Sequence, residues 1–185
     1  MGSKRQRFFD PRRMSLIGTD DVVAAIRKVS AMSLAQKEAL ADEIHQRQPH
    51  MLASCLVQSG LGAKPAAHEF LLHVLLVCYQ SMKESGLQWP VITEDDQDRQ
   101  MQRWVGAVQF SEDSGRSVAE RAREQYIRRH PEQWLLAFVL NEMDQWRRRV
   151  SERHEETEAD KFVMMAAVNL VNCIAAAAAT SPINE

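Results

Sequence analysis

The side chains best spaced to act together are Glu69 and His73, which stand four residues apart. In a helix this spacing puts both on one face, where a carboxylate and an imidazole could bind a metal ion or a small ligand. His68 lies next to Glu69, but five positions from His73, and a helix turns the two rings apart. The polar residues of this segment share one arc of about 160°. An ordinary solvated stripe explains such an arc, and we predict no metal site.

Glu142 is a carboxylate on the apolar side of a predicted helix. In projection it lies among Leu135, Phe138, Val139 and Trp146. A carboxylate in such a place should be buried or should line a cleft, and burial without a partner is costly. Two interpretations follow. Glu142 forms an internal ion pair with an arginine or histidine of a neighbouring helix, or it is the polar anchor of a small-molecule pocket between helices.

Two arginine–histidine pairs raise the question of RNA cleavage. Four residues separate Arg149 from His154, and six separate Arg123 from His130. This resembles the HEPN class of all-helical ribonucleases, which use an arginine and a histidine at such a spacing. The resemblance covers only the spacing. It implies a ribonuclease as the enzyme alternative, with Arg149 and His154 as the catalytic candidates.

Signatures of other chemistries are absent from the sequence. It contains no phosphate-binding loop, nucleophile elbow, dinucleotide fingerprint or zinc-ligand spacing. The three cysteines, Cys55, Cys78 and Cys173, are far apart and stand among apolar residues. This distribution is typical of reduced core thiols in an intracellular protein. We therefore predict neither a cofactor nor a disulfide framework, and a cytoplasmic location.

The charges give weak support to nucleic-acid binding. Net charge is -2 and the pI is about 6.3, so no global basic field attracts phosphates. Two local basic clusters exist, one in the first 13 residues and one formed by Arg147, Arg148, Arg149 and Arg153. The acidic run Glu155–Asp160 follows the second cluster immediately and opposes contact with phosphate.

Apolar residues recur with a helical period along the chain, and no segment alternates as a half-buried strand would. Helix starts are predicted at Thr19, at the Ser33–Gln36 capping box, and at Pro49, Pro65 and Thr93. A polar loop is expected over Ser111–Gly115, and the last helix should begin near Glu155. About eight helices with short connections predict an all-α fold: a compact bundle or stacked helical hairpins of seven to nine helices.

The domain organisation follows from these elements. Residues 1–18 are predicted to form a flexible basic arm, and residues 19–181 a single helical domain of ordinary size. The uncharged segment Phe162–Thr180 approaches the length of a membrane span. Because it contains Asn169, Asn172 and a run of alanines, a core helix is favoured over insertion, and we predict no membrane association.

Two junctions resemble each other in sequence. Arg47–Gln48–Pro49 and Arg129–His130–Pro131 each precede an apolar helix. A duplicated helical unit would give this pattern, although two copies are too few to establish a repeat.

The sequence favours a non-enzymatic interaction or adaptor protein. Its expected partner is another protein or a second copy of itself in a homodimer. A small-molecule-binding domain that uses Glu142, with Glu69 and His73 as further ligand-binding candidates, is one alternative, and the ribonuclease is the other.

Overall fold

The computed structural model describes residues 15–113, 116–151 and 157–180. This part of the chain contains eight helices and no strand, which confirms the all-α prediction. The helices are α1 (Thr19–Ala31), α2 (Leu34–Arg47), α3 (Pro49–Gly60), α4 (Pro65–Glu84), α5 (Glu94–Asp113), α6 (Arg116–Arg129), α7 (Gln133–Ser151) and α8 (Glu158–Thr180).

Local side-chain chemistry sets where several helices begin. The Ser33 amide donates to Gln36 Oε1 (2.8 Å), and the Gln36 amide donates to Ser33 Oγ (3.3 Å), which is the predicted capping box. Thr93 and Asp96 exchange the same two bonds before α5, and Thr157 and Asp160 exchange them before α8. Each exchange satisfies amide groups that a helix start would otherwise leave without partners.

Proline and glycine mark other boundaries. Pro49 and Pro65 occupy the first positions of α3 and α4, where the missing N–H is harmless. Gly86 follows α4 with φ of 69°, a left-handed conformation that glycine adopts without a Cβ penalty.

Two predicted boundaries were wrong. The expected loop from Ser111 is helical as far as Asp113, because α5 meets no proline or glycine there. The last helix begins at Glu158 rather than near Glu155, because Thr157 and Asp160 form the cap.

The last residues of the predicted arm contact the helical domain. Residues 1–14 lie outside the described part of the chain, but Ile17 is fully buried in the core. It directly precedes Gly18, the N-cap of α1, and Val22 four residues into the helix is buried as well. An apolar pair at these two positions is a hydrophobic staple, a sequence signal for the true start of the domain.

Helices α4 and α8 form the centre of the domain. Helix α4 packs against α1, α2, α3, α7 and α8, and α8 packs against α3, α4, α5 and α7. The three cysteines are free and buried, as predicted. Burial raises the pKa of the Cys55 and Cys173 thiols to about 12, so both are protonated at neutral pH.

Helix α8 is the one described helix long and apolar enough to cross a membrane, judged by length and composition. About two thirds of its apolar window, 67%, is buried inside the protein. Its alanines pack within the fold, where Ala175 and Ala177 are buried. This degree of burial is typical of the core helix of a bundle.

Candidate functional site

The predicted ligand residues of α4 and α7 meet along one seam of the bundle. His73 is half-buried, and its ring packs edge-on to Phe138 with centroids 6.3 Å apart. Glu142, one turn after Phe138, is also partly buried. Burial lowers the pKa of His73, and the Glu142 carboxylate partly offsets the decrease. Lys37 of α2 and Arg149 of α7 are also close enough to lower that pKa.

This seam brings together three of the predicted residues, His73, Glu142 and Arg149, and leaves Glu69 exposed. Among the described residues, the Glu142 carboxylate acts on the His73 ring of the neighbouring helix. An internal ion pair of Glu142 and a ligand site at these residues both stay predictions. Within residues 15–113, 116–151 and 157–180, no three His, Cys, Asp or Glu side chains could hold a metal ion.

Two charges on the polar stripe of α4 pair with neighbouring helices. Lys83 pairs with Glu43 of α2 at 2.6 Å, and Glu84 pairs with Lys28 of α1 at 2.7 Å. The ammonium of Lys83 lowers the pKa of Glu43. Ion pairs between helices explain these charges without a ligand.

Of the two arginine–histidine pairs, one has its histidine, His130, in the described part of the chain. His154 and the side chain of Arg123 lie outside the described part of the chain. His130 is buried, and both ring nitrogens have partners: Nδ1 accepts from the Glu132 amide (3.1 Å), and Nε2 lies 3.1 Å from Asn172 Oδ1. The first bond requires an unprotonated Nδ1, so the ring is neutral with its proton on Nε2. Burial accordingly lowers the pKa of His130.

His130 belongs to a polar network that the sequence did not reveal. Asn172 Oδ1 also accepts from the Tyr126 hydroxyl at 2.5 Å, and burial raises the pKa of that phenol to about 12. The Tyr126 ring stacks on Trp104 with centroids 4.7 Å apart. The network therefore joins α5, α6, the start of α7 and α8. Its role is to hold these helices together.

Glu132, unlike Glu142, is a fully buried carboxylate. Its side chain is fully inaccessible and binds the segment before α1. It accepts from the Leu16 amide (2.9 Å), the Ile17 amide (3.1 Å) and the Ser15 hydroxyl (2.8 Å). Burial raises its pKa, although these hydrogen bonds oppose the rise. No local sequence pattern indicates the burial of Glu132, because its partners are more than a hundred positions away.

A cavity of about 240 Å³ opens between α5, α7 and α8. We call it the α5–α7–α8 cavity. Its floor is Met164 and Val168, which are buried, and its rim includes the exposed side chains of Arg147 and Lys161. Glu142, Glu69 and His73 do not line it. The remaining lining residues are Trp104, Val105, Met143 and Met165.

Helix α3 exposes a largely apolar surface toward its C-terminal end. Its sequence, PHMLASCLVQSG, contains no Asp, Glu, Lys or Arg. Met51 and Cys55 face the core, whereas the opposite side is exposed. Exposed fractions there reach 47% for Leu56, 52% for Val57 and 61% for the C-cap residue Leu61. Helical spacing aligns the members of this α3 apolar face: Ala53, Leu56, Val57, Gly60 and Leu61.

Comparison with known proteins adds no relative. No protein family, no curated protein and no solved structure matches the chain.

The seam and the polar network join helices of the domain. The α3 apolar face and the α5–α7–α8 cavity have surfaces that packing within the domain does not fill.

Proposed function

We propose that this protein is a non-enzymatic helical interaction protein, and that it forms a homodimer through the α3 apolar face. The observation that carries the proposal is an uncharged helix whose outward side displays Leu56, Val57 and Leu61. A surface helix normally turns polar residues to water, whereas the exposed side of α3 carries three large apolar side chains. Burial against a second surface would remove these side chains from water.

Burial of the α3 apolar face would contribute to the free energy of association. Full burial of a Val or Leu side chain contributes about 1.5–3 kcal/mol. Each copy has three partly exposed side chains on this face. A dimer would therefore gain six contributions to the free energy of association, each a fraction of that amount. Part of the gain offsets the translational and rotational freedom that association removes.

The chemistry of the face favours a second copy as the partner. A symmetric dimer brings the same patch of both copies together, so a charge near the twofold axis would meet its own like charge. The α3 apolar face has no charge and avoids this repulsion. Ala53 and Gly60 lie between the larger side chains, and a Cβ built on Gly60 would meet no atom within 4 Å. Small residues allow two helix axes to approach closely.

The test is the mass of the protein in solution, measured by light scattering across a concentration series. Wild type should behave as a dimer. Leu56→Glu should be monomeric at the same concentrations. The dimer would bury two carboxylates, one from each copy, and each should weaken association by at least about 2 kcal/mol. Circular dichroism should show the same helicity for both proteins.

Leu34→Glu is the matched control, since Leu34 is the most exposed of these leucines (74%) but lies on α2. It should leave the dimer intact. A wild-type protein that stays monomeric at high concentration would refute the homodimer, as would a dimer unaffected by Leu56→Glu. RNA cleavage that disappears in Arg149→Ala or His154→Ala would refute the non-enzymatic assignment.

A further inference from the structure

We propose that the α5–α7–α8 cavity binds a small apolar carboxylate. This site is separate from the α3 apolar face and is lined by none of its residues. The proposal rests on the volume of the cavity, on its apolar floor and walls, and on two cationic side chains at its rim.

The cavity suits a compact apolar group. Its volume of about 240 Å³ exceeds the roughly 150 Å³ of an engineered apolar cavity that binds benzene. It is therefore large enough for a fused aromatic ring or a short aliphatic chain. Methionine side chains from two helices, Met143, Met164 and Met165, contribute to the lining. Because methionine is flexible and polarisable, it can adjust to either shape.

Trp104 gives one wall an aromatic surface. Its ring is held in place by the stack on Tyr126, whose hydroxyl is fixed by Asn172. A wall that is already ordered loses little conformational freedom when a ligand packs on it. The polar network thus supports the cavity from behind.

The charges at the rim select the head group. Arg147 comes from α7 and Lys161 from α8, and none of the lining residues in the described part of the chain is acidic. Met165 and Val168 follow Lys161 by four and seven positions, so the three side chains share one face of α8. A ligand whose apolar part packs on Met164 and Val168 would have its polar head group near the two cations. Carboxylate is the group that guanidinium and ammonium bind by charge-assisted hydrogen bonds.

The experiment is isothermal titration of the full chain with matched acids and alcohols. Naphthoate and naphthalenemethanol test an aromatic body, and octanoate and octanol test an aliphatic one. At least one acid should bind, and its neutral alcohol should bind at least about tenfold more weakly, because a hydrogen bond to a charged group is lost. The better of the two acids identifies the body that the cavity prefers.

Two variants of the cavity separate the head group from the body. Lys161→Gln should raise the Kd of the acid about tenfold and leave that of the alcohol unchanged. Met165→Trp, at a half-buried wall position, should abolish binding of both by filling the cavity. Lys64→Gln is the charge control, since Lys64 is exposed and does not line the cavity. Leu56→Glu should bind the acid normally, because its change is confined to the α3 apolar face.

Several results would overturn the proposal. One is the absence of heat with either acid at millimolar concentration. Another is equal affinity for acid and alcohol. A third is binding that survives both Lys161→Gln and Met165→Trp. Acid binding lost in Leu56→Glu would place the ligand on the α3 apolar face instead.

Discussion

At the scale of single residues, Glu132 joins the segment before α1 to the start of α7. It is a fully buried carboxylate surrounded by donors from the segment before α1. Because Leu16 and Ile17 donate through their backbone amides, the contact does not depend on their side-chain types. It fixes the path of the chain, and the path in turn places Ile17 in the core.

Glu132→Gln should lower the free energy of unfolding by about 1–3 kcal/mol. An amide has one acceptor oxygen, so it cannot accept from both backbone amides on two oxygens as the carboxylate does. One buried donor then loses its partner. Urea unfolding followed by circular dichroism measures the change.

Glu142→Gln is the matched control for that substitution. Glu142 is partly exposed and accepts no hydrogen bond from the described residues, so its change should stay within about 0.5 kcal/mol. If Glu142→Gln proved as destabilising as Glu132→Gln, the sequence-based prediction of an internally paired Glu142 would be supported.

At the scale of the helices, buried polar residues join elements that are distant in sequence. Gln48, between α2 and α3, is buried, donates to the Pro90 carbonyl (2.8 Å) and accepts from the Ile92 amide (2.9 Å). It thereby attaches the connection before α5 to the α2–α3 junction. His130 has the corresponding position in the second similar junction and is also buried and hydrogen-bonded. Whether the two junctions descend from a duplication stays a prediction.

Gln48→Ala should destabilise the protein by about 1–3 kcal/mol, because it leaves the buried Ile92 amide without its acceptor. Gln46→Ala, two residues earlier at an exposed position of α2, is the control and should have little effect. Thermal unfolding compares the two variants directly. Equal melting temperatures for both would show that Gln48 does not stabilise the junction.

At the scale of the whole molecule, buried histidines couple folding to pH. Burial lowers the pKa of His130 and His73 below the ordinary value of 6.5. The unfolded chain therefore takes up protons at a higher pH than the folded one does. Stability from these groups is fully present above pH 6.5 and decreases as the pH falls toward the lowered pKa values. Glu132, whose pKa is raised, acts in the opposite direction as the pH falls.

The free energy of unfolding should therefore decrease as the pH is lowered from 7.5 to 5.5, values chosen as about one unit on each side of the histidine pKa. His130→Gln should make this decrease smaller, whatever its effect on stability at neutral pH. His45→Gln, at an exposed position of α2, should not alter it. An unchanged slope in His130→Gln would show that His130 is not held neutral in the fold.

Features that depend on neighbouring residues could be predicted from the sequence. The capping exchange of Ser33 with Gln36, the first positions at Pro49 and Pro65, and the burial of the cysteines each follow from local chemistry. Helical periodicity likewise gives the all-α class and nearly all of the helices. These features need no knowledge of which helix lies beside which.

Only the tertiary structure decided which polar and apolar side chains face a partner. Glu142 lies on an apolar stripe yet is half-exposed, whereas Glu132 looks like an ordinary charge after a proline and is fully buried. Helix α3 has apolar residues on several sides in sequence, and packing against α2, α4 and α8 determines that Leu56 and Val57 are exposed. The cavity requires three helices to converge. Such contacts join residues far apart in the chain, so periodicity and spacing, which are local, do not contain them.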